Sequence, residues 1–124
     1  MSRKPRRVPE RIQDMLEAIG HIESDLGDLS RDEFLTDGKT QRAVIESLIV
    51  IGEAGNKITQ LDPTLKDSAP ELWQQFRDAY DMRIILTHEY FRVDAGVVWT
   101  TIQDNLPLLK AQLTGFLSQY SPAD

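Results

Sequence analysis

The sequence predicts an all-α protein, an up-and-down bundle of four or five helices. Apolar residues recur at steps of three and four along almost the whole 124-residue chain, the period of a helix with one buried face. No stretch of useful length alternates apolar and polar residues as a half-buried strand does. The breaks between periodic segments are short and rich in Gly, Pro, Asp and Asn. Consecutive helices therefore turn back on one another.

The first helix opens near Pro9, whose fixed φ suits a helix start. Ile12, Met15, Leu16, Ile19, Ile22 and Leu26 form its stripe, and Gly27 stops it. Ser30 and Glu33 have the spacing of a capping box ahead of Phe34 and Leu35, which reads as a helical turn or a short helix. Asp37-Gly38 breaks the pattern, and Asp37 or Thr40 caps a second long helix. On it Val44, Leu48, Ile51 and Ile58 share a face that Ile45 and Ile49 broaden, so a central position or an oligomer interface is expected. Gly52 and Gly55 each cost a helix about 1 kcal/mol relative to alanine. Close approach of a neighbouring backbone is the expected reason for them. Glu53 and Lys57, four apart, read as a surface pair.

Leu61-Asp62-Pro63 ends that helix, and a loop through Asp67 and Ser68 leads to Pro70 at the start of a third. Its expected stripe is Trp73, Phe76, Tyr80, Ile84 and Phe91. Asp94 caps a fourth, with Val97, Val98, Ile102, Leu106, Leu109, Leu113 and Phe116 apolar. Pro107 kinks it or starts a fifth helix. The expected division is a flexible basic arm over 1–7, one helical domain over 8–120 and a tail over 121–124.

Composition narrows the chemistry. With no cysteine, there is no disulfide framework, thiolate nucleophile or cysteine zinc site. Two histidines, His21 and His88, argue against a His-rich metal site, and no cofactor is expected. The longest apolar run, 48–52, is too short for a membrane span, and the basic start lacks the apolar core of a signal peptide. A cytoplasmic setting is the expectation. The net charge of −6 argues against a general nucleic-acid coat, whose affinity comes from neutralising phosphates. Arg3, Lys4, Arg6 and Arg7 hold four of the 14 basic groups, so the rest of the chain carries 10 against 20 acids. Either the arm is solvated, or it touches phosphate or an acidic partner. Any nucleic-acid chemistry on the main body must use a local pocket.

The chemistry-bearing segment is 81–91, which gathers Arg83, His88 and Tyr90. At about 100° per residue, Arg83 and Tyr90 lie within about 20° of each other, while His88 is about 140° from Arg83. One ideal helix cannot aim Arg83 and His88 at the same atom. Either the helix loosens before His88, or a second copy of the chain completes the site. The trio suits attack on a phosphodiester. Histidine exchanges protons near neutral pH, arginine grips phosphate oxygens and stabilises developing charge, and RNA supplies its own 2′-hydroxyl nucleophile. The structural alternatives are a salt bridge from Arg83 to an acid on another helix, a packed or capping His88 and a rim position for Tyr90. Arg77 and Arg92 are candidates for a phosphate-binding rim, or solvated. Glu89 reads as a surface charge, His21 as structural or exposed, and Trp73 and Trp99 as core.

The pattern Arg83-x-x-x-x-His88-x-Tyr90 followed by Phe91-x-Val93-Asp94 resembles the HepT-like proteins of the HEPN superfamily, toxin partners of minimal nucleotidyltransferases. Ile51-Gly52-Glu53-Ala54, Trp73, Trp99 and Asn105-Leu106-Pro107-x-Leu109 occur in the family's order, and together the matches cover most of 8–117. The resemblance implies a HEPN-type bundle working as a homodimer, with the Arg83–His88 motifs lining a cleft across the dimer axis. It implies metal-independent cleavage of RNA, such as tRNA or mRNA, leaving cyclic phosphate ends. Arg83 would hold the phosphate and His88 would be the acid–base group. Tyr90 would take AMP from the cognate nucleotidyltransferase antitoxin. Ile84 stands where the family commonly carries a polar residue, and Thr87 where a small apolar one is common. The rival readings are a non-catalytic helical dimer that binds a nucleotidyltransferase and nucleotide, and a purely structural interaction protein.

Overall fold

The structure is a computed structural model that describes residues 7–88 and 93–120. These form seven helices and no strand: α1 (Val8–Leu26), α2 (Arg31–Leu35), α3 (Gly38–Leu61), α4 (Leu65–Ser68), α5 (Pro70–His88), α6 (Ala95–Asp104) and α7 (Leu106–Gln119). The bundle is thus five longer helices with two short ones in the connections. No described helix is long and apolar enough to cross a membrane.

Local chemistry sets most boundaries. Pro9 sits in the first turn of α1, and Gly27 ends that helix at φ +51°, a conformation that favours glycine. Ser30 and Glu33 close the capping box reciprocally, at 3.2 and 2.9 Å. Asp37, rather than Thr40, caps α3: its Oδ1 accepts from the Thr40 N–H at 3.0 Å and its Oδ2 from the Thr40 hydroxyl at 2.7 Å. Asp94 caps α6 by accepting from the Gly96 N–H at 2.8 Å. Pro107 starts a new helix rather than kinking an old one, with Asn105 at the junction. The expected loop through Asp67 and Ser68 contains a single helical turn, α4, too short to leave a periodic signal.

Helix α3 lies at the centre, packed along its length by α1 on one side and α5 on the other. Both neighbours run antiparallel to it: on α1, Arg11 lies near Glu53 and Asp25 near Ala43, and on α5, Phe76 meets Gly55 while Arg83 meets Gly52. Helices α6 and α7 close the bundle against α2, α1 and α5. Val44, Ile51 and Ile58 of α3 and Ile12, Met15 and Ile22 of α1 are almost wholly buried. Each such side chain contributes roughly 1.5–3 kcal/mol. On α7, Leu106, Leu109 and Leu113 are buried as expected, whereas Val97 of α6 is exposed.

The expected stripe of α5 needs correction. Its buried residues are Leu72, Phe76 and Leu86, with Ala79 packed beside them. Trp73 and Tyr80 are half-buried, Ile84 is 37% exposed, and Phe91 lies outside the described residues. The reason is tertiary. At Gly52 an added Cβ would stand 2.5 Å from Arg83 Cβ and 2.6 Å from the Ala79 carbonyl oxygen, and at Gly55 one would stand 3.2 Å from the Phe76 carbonyl oxygen. The two glycines admit the backbone of α5, and they fix the face bearing Phe76, Ala79 and Arg83 as the one that meets α3.

Gly52→Ala should therefore destabilise the protein by about 1–3 kcal/mol, the cost of overpacking a dense contact. Gly20→Ala, where nothing lies within 4 Å of the new Cβ, should stabilise it by about 0.5–1 kcal/mol. Urea unfolding of both variants reads the contrast. The Asp37 cap predicts an acid dependence. Its hydrogen bonds from Thr40, the backbone one first, hold the carboxyl below its ordinary value of 3.8. A depressed folded pKa contributes stability above that ordinary value and loses it as pH falls through the folded one. Asp37→Asn should remove this part of the slope in a plot of unfolding midpoint against pH.

Candidate active site

Arg83 and His88 both belong to α5, which runs unbroken to His88. The option that the helix loosens before His88 is therefore overturned. A regular helix sets the two residues about 140° apart around its axis and about 7.5 Å apart along it. Arg83 faces α3, and His88 is exposed on the outward side as the last residue of the helix. Within one chain they address different spaces. Tyr90 and Arg92, and with them Glu89, lie outside the described residues.

Arg83 makes the salt bridge foreseen as the structural alternative. Its Nε lies 3.0 Å from Glu53 Oε2 on α3. Buried as it is, that nitrogen does not aim its N–H well enough at the carboxylate to form a hydrogen bond. Glu53 also lies 3.9 Å from Lys57, so the expected surface pair exists but is the looser of its two contacts. The Arg83 and Glu53 side chains keep 29% and 40% exposure, and a pair so wetted is worth at most about 1 kcal/mol. The guanidinium of Arg83 also stands 5.7 Å from the ring centre of Tyr80. Arg77 stacks on the same ring at 5.5 Å and reaches Asn56 Oδ1 at 3.4 Å. That ring and amide hold Arg77 against α3, and Arg77 does not line the Arg83 cavity.

The Arg83 cavity, about 240 Å³, opens between α1 and α3 and is lined by Arg11, Asp14, Val50 and Glu53 among others. Sequence reasoning missed Arg11 and the Glu53–Arg83 contact. The readable signal for Arg11 was its place on the stripe of α1, between Val8 and Met15, where an apolar residue is the norm. A larger cavity of about 970 Å³, between the ends of α1, α3 and α7, contains none of Arg77, Arg83 and His88. His21 is exposed beside Glu17 at 3.9 Å. Trp73 and Trp99 pack against the core, Trp99 with its ring 5.5 Å from that of Phe34. No three His, Asp or Glu side chains group as a metal site among the described residues.

Comparison with known proteins gives this arrangement a context. The family model described as Ribonuclease HepT-like matches residues 15–115. The chain belongs to the HepT-like ribonuclease family. It is 39% identical over 101 residues to a "probable ribonuclease HepT" of Thermococcus cleftensis, covering 82% of this chain and 87% of that one. A candidate RNase of Methanocaldococcus jannaschii is 33% identical over 96 residues, 77% of this chain and 75% of that one. A second protein of that organism, named as a gamma-glutamylcyclotransferase and candidate RNase, is 31% identical over 109 residues, which are 87% of this chain and 46% of that one. No solved structure matches. As a HepT-like protein, the chain has an all-α HEPN-type bundle whose matched region runs from α1 to α7 and takes in both Arg83 and His88.

Proposed function

We propose that this HepT-like protein is the ribonuclease toxin of a toxin–antitoxin pair, and that it acts as a homodimer whose two chains complete each active site. The carrying observation is the unbroken α5, which turns Arg83 and His88 of one chain to different sides. An active site needs both groups at one linkage, so Arg83 of one chain works with His88 of the partner subunit. Ile84 and Ile85, at 37% and 50% exposure, stand beside His88 on α5 and supply apolar surface for such a seam.

In the reaction, the 2′-oxygen of a ribose attacks the adjacent phosphorus and the 5′-oxygen leaves, giving a 2′,3′-cyclic phosphate. His88 acts as the acid–base group for the protons of these two oxygens. Arg83 grips the phosphate and stabilises the charge that builds on it. Neutralisation is by transfer of AMP to the Tyr90 oxygen from ATP, with pyrophosphate leaving, catalysed by a nucleotidyltransferase antitoxin. The added phosphate repels RNA and its bulk blocks the cleft.

Arg83→Ala and His88→Ala should each lower cleavage of a labelled oligoribonucleotide by at least about 100-fold, with circular dichroism unchanged. The shared site has a sharper signature. Mixing the two inactive variants and letting subunits exchange should restore about a quarter of wild-type activity, because half the dimers then hold one intact site. No recovery despite proven exchange would place the whole site in one chain and defeat the shared-site reading. After co-expression with the nucleotidyltransferase, the intact mass should rise by one or more AMP units, and Tyr90→Phe should abolish that shift. An unmodified protein bound stably to its partner would replace modification by sequestration.

A further inference from the structure

We infer that Arg11 of α1 is a second phosphate-binding residue of the active site, placed to hold the RNA backbone beside Arg83. The inference rests on the ribonuclease reading above for the identity of the anion. It rests on the structure for the site.

Arg11 occupies a position on the buried face of α1 that would ordinarily be apolar. Its Nε is buried and has no hydrogen-bond partner. Among the described residues it takes part in none of the salt bridges, which join His21–Glu17, Lys57–Glu53, Arg83–Glu53 and Lys110–Glu23. Leaving a permanent cation half-buried and uncompensated is unfavourable by several kcal/mol in an apolar surrounding, unless an anion or water meets it. Glu53 does not neutralise it, because that carboxylate sits against Arg83 and Lys57. Asp14 shares the cavity and is likewise not free.

The cavity itself brings Arg11 and Arg83 together from α1 and α5 across the surface of α3. Its 240 Å³ is roughly the space of eight water molecules at about 30 Å³ each, enough for a phosphate group with part of its hydration. Both arginines line it, and each keeps its Nε buried. Two planar guanidiniums from separate helices can hold one phosphodiester from two sides, or two successive phosphates, each through paired N–H bonds. Such a pocket lets a chain of net charge −6 bind a polyanion without a broad basic face. Arg77, the expected rim residue on α5, is held by Tyr80 and Asn56 instead. Arg11 also lies ahead of residues 15–115, so the family match does not include it.

The test uses the full chain and two RNAs of one sequence. One is cleavable, and the other is a 2′-O-methyl probe that cannot react, whose binding is read by fluorescence anisotropy over a salt series. Arg11→Gln should weaken probe binding about tenfold and reduce the slope of log affinity against log salt by about 0.7, the value for one lost contact to a single strand. Arg11→Lys should keep the slope, because it keeps the charge, while losing part of the affinity with the planar fork. On the cleavable RNA the defect of Arg11→Gln should fall on KM. Wild-type affinity and slope in Arg11→Gln would overturn the inference, as would a slope lost equally in Arg11→Lys. If Arg11→Gln does not fold, Arg11→Lys decides: weakened binding at full slope supports the role, and unchanged binding overturns it. Wild-type protein that binds the probe but leaves the cleavable RNA intact sinks the ribonuclease reading while the Arg11 comparison still stands. Cleavage by wild type with Arg11→Gln indistinguishable from it does the reverse, and wild-type protein that binds neither RNA overturns both.

Discussion

Helices α3 and α5 approach so closely at Gly52 that no side chain fits between them, and the placement of Arg83 and His88 follows from that contact. The absence of a Cβ there lets Ala79 and the root of Arg83 press onto the α3 backbone. Once that face of α5 is committed, the rest is geometry. Arg83 must run along α3, where the next residue, Glu53, meets it. His88, about 140° around the helix, must point away from the bundle. The outward side then carries Ile84 and Ile85, which a lone chain leaves to water. A single tight contact thus orients the cation inward and the imidazole outward.

Both arginines of the cavity sit on helix faces that otherwise pack the core. Arg83 shares its face with Phe76 and Ala79, and Arg11 shares one with Val8, Met15 and Ala18. A charged group on such a face destabilises the fold unless its head reaches water or a counter-ion. The long side chain allows this: its stem can cover apolar neighbours while the residue also borders the cavity. The arrangement also answers the question raised by the acidic composition. What matters to a phosphate is the potential inside a recess with low-dielectric walls, not the sum over the chain.

The helices were legible in the sequence because their ends are local chemistry. Ser30 with Glu33, Asp37, Asp94 and Pro107 act within four residues of themselves, and the structure uses them as their spacing suggests. The broad apolar face of α3 likewise announced a central helix. The buried face of α5 was not legible in the same way. Trp73 and Tyr80 are large and apolar enough to define a stripe, yet the true face is chosen by two glycines on another helix, Gly52 and Gly55, well before them in the sequence. The partner of Glu53 was missed for the same reason: Lys57 is its neighbour in sequence and Arg83 is not. The Arg83–His88 motif was visible as a pattern, but whether its two ends meet depends on helix continuity and on whether a second chain adjoins them. Neither is encoded in residue spacing.

The isoleucine after Arg83 bears on how the chemistry is divided. The family resemblance sets a polar residue as the expectation there, one able to hydrogen-bond a substrate or steer the histidine. Ile84 can do neither. On the continuous α5 it stands one turn before His88, about 40° away around the axis, and it is partly open to solvent. Covered by a second chain, its side chain would exclude water from around the imidazole, and each charge interaction there would strengthen as the local dielectric falls. Recognition of the phosphate would then rest on guanidinium groups alone. On that view an isoleucine at 84 and a cation at 11 are complementary: the first offers the RNA backbone no polar contact, and the second provides one from α1.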